Sequence, residues 1–324
     1  MLTLANLSNA DSDLQRFADA QDVRTFLSHT GMDGFELLLY EKLDALLIPN
    51  DTVKGIHLGY FPSWLAFWRG DADWLTTEFG SLKEAYKYYD AENRQGMLDN
   101  LRKQLDFAAK VQAKYVVFHV AEVSLQETVD YRFHFTDEEV IDSAAELINE
   151  LLEGRHDSFD FLVENLWWPG FRFTSPALTQ RLMEQIIAPN KGIMLDTGHL
   201  LHTNQSLRSL EDACDYINQM MDAHGELCRY IRGVHLHQSL SGEYAQAMIR
   251  KGIRLKGTYM ERLMASYQHI MHIDTHRPFL SPGIRGVIEK INPEYLVYEL
   301  ITTSREDHET CLVQQHAIFH QKEK

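Results

Sequence analysis

The chain has 324 residues, with 31 Lys and Arg against 47 Asp and Glu, a formal charge of −16 with histidine neutral. At 44% hydrophobic and 24% charged residues it is not the low-hydropathy composition of a disordered chain, and its length allows one large α/β domain. The charge disfavours broad adhesion to nucleic acid or anionic membrane, no apolar run reaches the roughly 18 residues of a spanning helix, and three scattered cysteines (Cys214, Cys228, Cys311) argue against a disulfide framework or a thiolate zinc site, so a cytoplasmic protein is expected.

Short apolar runs alternate with helical patterns along the whole chain. A strand at Leu2 to Leu7 precedes a helix over Asp11 to His29, and a strand at Gly34 to Leu39 precedes a short helix near Glu41 to Leu47. The strand Val53 to Tyr60 leads into an aromatic insertion at 61–80 and a helix over Ser81 to Val111. Tyr115 to Val120 is followed by Thr136 to Leu152, opened by the capping box Thr136-Asp137-Glu138-Glu139. Phe161 to Leu166, Gly192 to Asp196 and Ile231 to His237 are strands, followed by helices Ser175 to Ile187, Ser206 to His224 and, after an insertion at 238–257, Thr258 to His272. Tyr295 to Ile301 and Ser304 to His320 close the series. Eight strand–helix units, with strands apolar enough to be buried on both faces and no G-x-G-x-x-G after the first, predict a single (β/α)8 TIM barrel over residues 1–324. About 250 residues suffice for such a barrel, which leaves room for the two insertions on its C-terminal face.

Polar residues recur at the downstream ends of these strands: His57 and Tyr60, His119, Glu164, Asp196 with His199, His235 with His237, and Glu299. Side chains alternate along a strand, so Glu164 shares a face with Leu162, Asp196 with Met194, Glu299 with Val297, and His235 with His237. Carboxylates converging inside a barrel mouth repel one another unless a cation lies between them. Imidazole and carboxylate without thiolate suit a divalent transition metal, with zinc favoured over manganese, cobalt or iron. Trp64 and Trp68 in the first insertion are candidate substrate-stacking rings, with plain loop packing as the alternative. Arg250 and Lys256 in the second are candidate phosphate contacts, with a solvated helix face as the alternative.

The order Glu164-Asn165, Leu195-Asp196-Thr197-Gly198-His199, Val234-His235-Leu236-His237 and Glu299 resembles the xylose isomerase-like TIM-barrel superfamily, which includes sugar isomerases, sugar epimerases and endonuclease-IV-type apurinic/apyrimidinic endonucleases. In the one-metal epimerase branch the resemblance implies that Glu164, Asp196, His235 and Glu299 hold the metal. In the three-zinc endonuclease-IV-type branch it implies His57, His119 and Glu164 for one ion, Glu164, Asp196, His235 and Glu299 for the second, and His199, Asp274 and His276 for the third. The family's Asn-Asp after the strand-seven histidine is replaced by His237-Gln238, which leaves His237 open as an alternative ligand to His235 or as a substrate contact.

Three functions follow as expectations. One is a di- or trinuclear zinc hydrolase acting on a phosphate ester, with abasic DNA as substrate disfavoured by the charge. Another is a one-metal sugar or sugar-phosphate isomerase or epimerase in which Glu164 and Glu299 exchange a proton beside the carbonyl. The third is a catalytically silent barrel that only binds. The ligands in excess of one metal, His57, His119, His199, Asp274 and His276, favour the first.

Overall fold

The computed structural model describes residues 1–39 and 47–320. Eight parallel strands, β1 (Leu2–Ser8), β2 (Gly34–Leu38), β3 (Val53–His57), β4 (Tyr115–His119), β5 (Asp160–Glu164), β6 (Lys191–Asp196), β7 (Ile231–His235) and β8 (Tyr295–Tyr298), pair in sequence order and close on themselves through β1 and β8. The TIM barrel expected from the sequence is therefore present. Each strand buries both faces. Val116, Phe118, Phe161, Val163, Ile193, Leu195 and Val234 meet the outer helices, whereas Leu4, Val117, Leu162, Met194 and Val297 fill the interior below the mouth. The interior is tight: a Cβ on Gly55 would lie 2.2 Å from the Tyr115 ring, so glycine at that position lets the tyrosine cross the barrel.

Several helices differ from their expected bounds, and local caps explain why. The expected Asp11 to His29 helix divides into Asp11–Leu14 and Ala20–Thr30, the second restarted by Asp19, whose side chain accepts from the N–H groups of Gln21 and Asp22. Ser81 to Val111 divides into Leu82–Tyr89 and Arg94–Lys110, with Asp90 at φ 48° ending one and Asn93 capping the other. The capping box at Thr136 and Glu139 forms as read. The helix expected near Glu41 to Leu47 falls outside the described residues apart from Leu47.

The larger correction follows β7. Tyr259–Ile273, expected to be the barrel helix of that unit, belongs with Gly242–Lys251 to the excursion over the mouth, and the helix that returns to the barrel wall is Gly283–Ile291. Its Ile284, Val287 and Ile288 are buried against the helix Leu210–His224. The excursion is thus longer than 238–257. The one after β3 also extends past residue 80, adding Leu82–Tyr89 to Leu65–Arg69 and Ala72–Phe79 before the barrel helix Arg94–Lys110.

Candidate metal centre

The turn after β6 shows how the sequence builds the site. Asp196 ends the strand and caps the short helix Thr197–His202 by accepting from the His199 N–H at 2.6 Å. Thr197 Oγ1 lies against the carbonyls of His235 (3.0 Å) and His237 (2.7 Å), pinning β6 to the end of β7. Asn165, next to Glu164, donates to the Asp196 carbonyl at 3.0 Å and accepts from its N–H at 2.9 Å, pinning β5 to β6. The polar residues of Glu-Asn and Leu-Asp-Thr-Gly-His therefore fix the ends of three adjacent strands as well as supplying ligands.

Three groups of potential ligand atoms result, each within 4.8 Å of one another: His57, His119 and Glu164; Glu164, Asp196, His235 and Glu299; and His199, His237, Asp274 and His276. Glu164 belongs to two of them. Its Oε2 lies 3.1 Å from Nε2 of both His57 and His119, and its Oε1 lies 3.3 Å from His235 Nδ1. His235 Nδ1 is also 3.2 Å from Glu299 Oε2. Glu164 Oε1, His235 Nδ1 and Glu299 Oε2 are buried and none makes a well-formed hydrogen bond. Two acceptors and an imidazole nitrogen left unsatisfied around one point are costly in protein alone and are the donor set a divalent cation takes. The residues fit a metal.

The far side of each ring supports the same reading. His57 Nδ1 donates to the Leu58 carbonyl (3.1 Å), His199 Nδ1 to Asn165 (2.9 Å) and His276 Nδ1 to Glu299 (3.1 Å), so each Nε2 is left facing the cluster. His235 is turned the other way. Its Nε2 donates at 3.0 Å to the carboxylate of Glu36, a buried residue in the middle of β2 that also accepts from the Tyr115 hydroxyl at 2.7 Å. Glu36 escaped the sequence reading because it stands inside an apolar strand and not at its end. The signal was a lone acid in the run Gly-Phe-Glu-Leu-Leu.

Electrostatics couples these groups closely. Burial raises the Glu164 carboxyl, but the imidazoles of His119 and His235 outweigh it and hold the group well below the usual carboxylate range. Burial lowers the His235 and His199 imidazoles, yet their carboxylates (Glu299, Glu36 and Glu164 for the first, Asp196 and Asp274 for the second) raise both well above the usual value. His276 is raised to about 9 by Asp274 and Glu299 against its burial.

The remaining sequence candidates divide. Tyr60 stands at the mouth, its ring edge-on to His119 with centroids 4.5 Å apart. His237 lies in the third ligand group, its ring stacked on His276 at 4.0 Å. Trp64 and Trp68 are 4% and 3% exposed and offer no free face: Trp64 Nε1 donates to the Ala121 carbonyl at 2.8 Å, and the Arg94 guanidinium covers Trp68 at 4.1 Å. They are packing residues, held there by the apolar contact their size provides. Arg250 and Lys256 are exposed, and no described contact ties either to the ligand groups. Aromatic rings that do approach the centre come from elsewhere: Trp167, after β5, lies 5.1 Å from the His199 ring and packs with Trp168, Tyr131, Phe133 and Tyr244.

The family model described as xylose isomerase-like TIM barrel matches residues 88–292, more than half of the chain. No curated protein sequence matches. Among solved structures, a candidate xylose isomerase from Rhodospirillum rubrum is 12% identical, with 98% of this chain and 99% of that one covered and a TM-score of 0.56. An L-ribulose 3-epimerase is 11% identical (98% and 93% covered, TM-score 0.53), and endonuclease IV from Thermus thermophilus is 16% identical (98% and 98%, TM-score 0.51). At these identities the likeness is one of fold.

Proposed function

The chain belongs to the xylose isomerase-like TIM-barrel family, and within it we propose a hydrolase of phosphate esters that uses two or more divalent metal ions of the zinc type, in the manner of endonuclease IV. The observation that carries this is Glu164, whose two oxygens face two separate ligand groups, one with His57 and His119 and the other with His235 and Glu299. A one-metal isomerase needs only the second group. Bound there, the ions would supply Lewis acidity toward a phosphate oxygen and a water acidic enough to act as nucleophile near neutral pH. Glu164 sets their separation by belonging to both groups. Asp196 and Glu299 neutralise charge at the second group, Glu36 holds the His235 ring in place, and Tyr60 and Trp167 exclude water from the mouth. The net charge of −16 favours a small phosphorylated substrate over abasic DNA.

Protein purified without chelator is expected to hold about two to three transition-metal ions per chain and to hydrolyse bis(p-nitrophenyl) phosphate. Glu164→Gln keeps the shape but removes the shared charge, and is expected to lower metal content and abolish turnover. A single ion, unchanged when His57 and His119 are both replaced by Ala, together with interconversion of a ketose and its epimer, would replace this reading by a sugar epimerase with Glu164 and Glu299 as its acid–base pair.

A further inference from the structure

Resting on the multinuclear reading above, we propose that His237 is a fourth protein ligand at the third cation position. His199, His237, Asp274 and His276 then form a closed, structural site, and substrate meets only the pair joined at Glu164.

Three of the four ligand atoms already point to one place. His199 Nε2 and His276 Nε2 lie 3.0 and 2.7 Å from Asp274 Oδ2. Each is fixed from behind, the two rings by Nδ1 donation to backbone carbonyls and Asp274 by accepting from Ser239 Oγ at 3.1 Å. Three protein ligands on a tetrahedral cation leave one position open for water or substrate. In this chain His237 reaches that group: one of its ring nitrogens lies within 4.8 Å of the other three ligand atoms.

The His237 ring is also built into place. It is fully buried, lies parallel to His276 with centroids 4.0 Å apart and planes 9° apart, and rests on Gly198, where a Cβ would come within 2.0 Å of its Cε1. Its backbone N–H donates to Thr197 Oγ1 at 3.1 Å. With one ring face on His276 and Gly198 beside Cε1, no surface remains for a substrate, which argues against the substrate contact considered from sequence. His235 already fills the second group through Nδ1, so His237 is not needed there; its Nε2 stands 2.9 Å from Asp196 Oδ2, on the border between the second and third groups. A cation held by four side chains from the β6 turn, the end of β7 and the β7–β8 connection would tie these segments together and exchange slowly.

The test is metal retention, not turnover. Zinc-loaded wild-type protein is challenged with EDTA and its metal content followed in time by elemental analysis, with far-ultraviolet circular dichroism to confirm that every variant is folded. One ion per chain should leave about 100-fold more slowly than the others, and in His237→Ala that slow ion should leave with the rest. His237→Cys should restore slow release, because a thiolate ligates zinc, whereas neither ring stacking nor a substrate contact would be recovered by a thiol. Retention of the slow ion in His237→Ala, or its loss in a folded His237→Cys, overturns the closed site and leaves the hydrolase reading standing on its two remaining ions and its turnover. A wild-type chain that never takes up a third ion also overturns it, while the content at His57 and His119 tests the wider reading separately.

Discussion

The His235 imidazole is held from both edges, by Glu36 at Nε2 and by Glu164 and Glu299 at Nδ1. A carboxylate behind a ligating histidine fixes its tautomer and increases its basicity, and the loss of such a partner typically lowers metal affinity by about 10- to 100-fold. Glu36→Gln retains an acceptor but not the charge, and Glu36→Leu retains neither and also strands the Tyr115 hydroxyl. Competition with a chromophoric chelator is therefore expected to show weaker binding of one ion in both variants, with Leu the more severe and the ion at His57 and His119 unaffected. Equal affinity in wild type and both variants would remove Glu36 from the site. This residue also marks where sequence reading stops. Glu164, Asp196, His235 and Glu299 were legible because strand alternation and position at a strand end are local properties. Glu36 acts through Tyr115, 79 residues away, and His235, 199 residues away, a proximity that barrel closure creates and no local pattern encodes.

Among the elements, strands were easier to read than helices. A strand buried on both faces announces itself by composition, whereas helix ends are set by single caps such as Asp19, Asn93 and Ser209 inside otherwise polar stretches. Gly283–Ile291 was hidden by Pro278, Pro282 and two glycines, although Ile284, Val287, Ile288 and Ile291 carry the i, i+3, i+4, i+7 spacing. The helix Arg305–His320 carries a pH-sensitive contact against Ala20–Thr30. His308 is buried beside Phe26, neither ring nitrogen has a hydrogen-bond partner, and burial with help from Arg16 lowers its imidazole to about 4. Between pH 6.5 and 4 the unfolded chain takes up this proton and the folded chain does not, so stability falls as pH drops through that window. The loss at pH 5 relative to pH 7 is roughly 2 kcal/mol. Urea unfolding of His308→Leu at both pH values should show a smaller drop than wild type by about that amount, since no hydrogen bond is lost and other acid-sensitive groups are common to both proteins. Equal drops would show that His308 ionises freely in the folded state.

At the scale of the whole molecule, the barrel gathers Glu164, Asp196, Asp274 and Glu299 with six histidines at one end, most of them fully buried, while apolar layers and packed helices fill the rest. Such a mouth is the one part of the fold whose groups oppose burial, because every carboxylate there must find a proton-bearing imidazole or a cation. Cations that bind these preorganised groups and not the unfolded chain stabilise the fold by mass action, about 2.7 kcal/mol per ion at a free concentration 100 times Kd. With an unfolding entropy near 0.7 kcal/mol/K for a chain of this size, each ion should raise Tm by about 4 °C. Thermal unfolding with EDTA, and then with increasing zinc, is therefore expected to shift upward with the logarithm of zinc concentration. The shift should shrink in Glu164→Gln, which serves two ligand groups, more than in His57→Ala, which serves one. If Tm is the same with chelator and with saturating zinc, the buried acids and imidazoles are satisfied by their own protons, and the mouth of this barrel is not a metal centre.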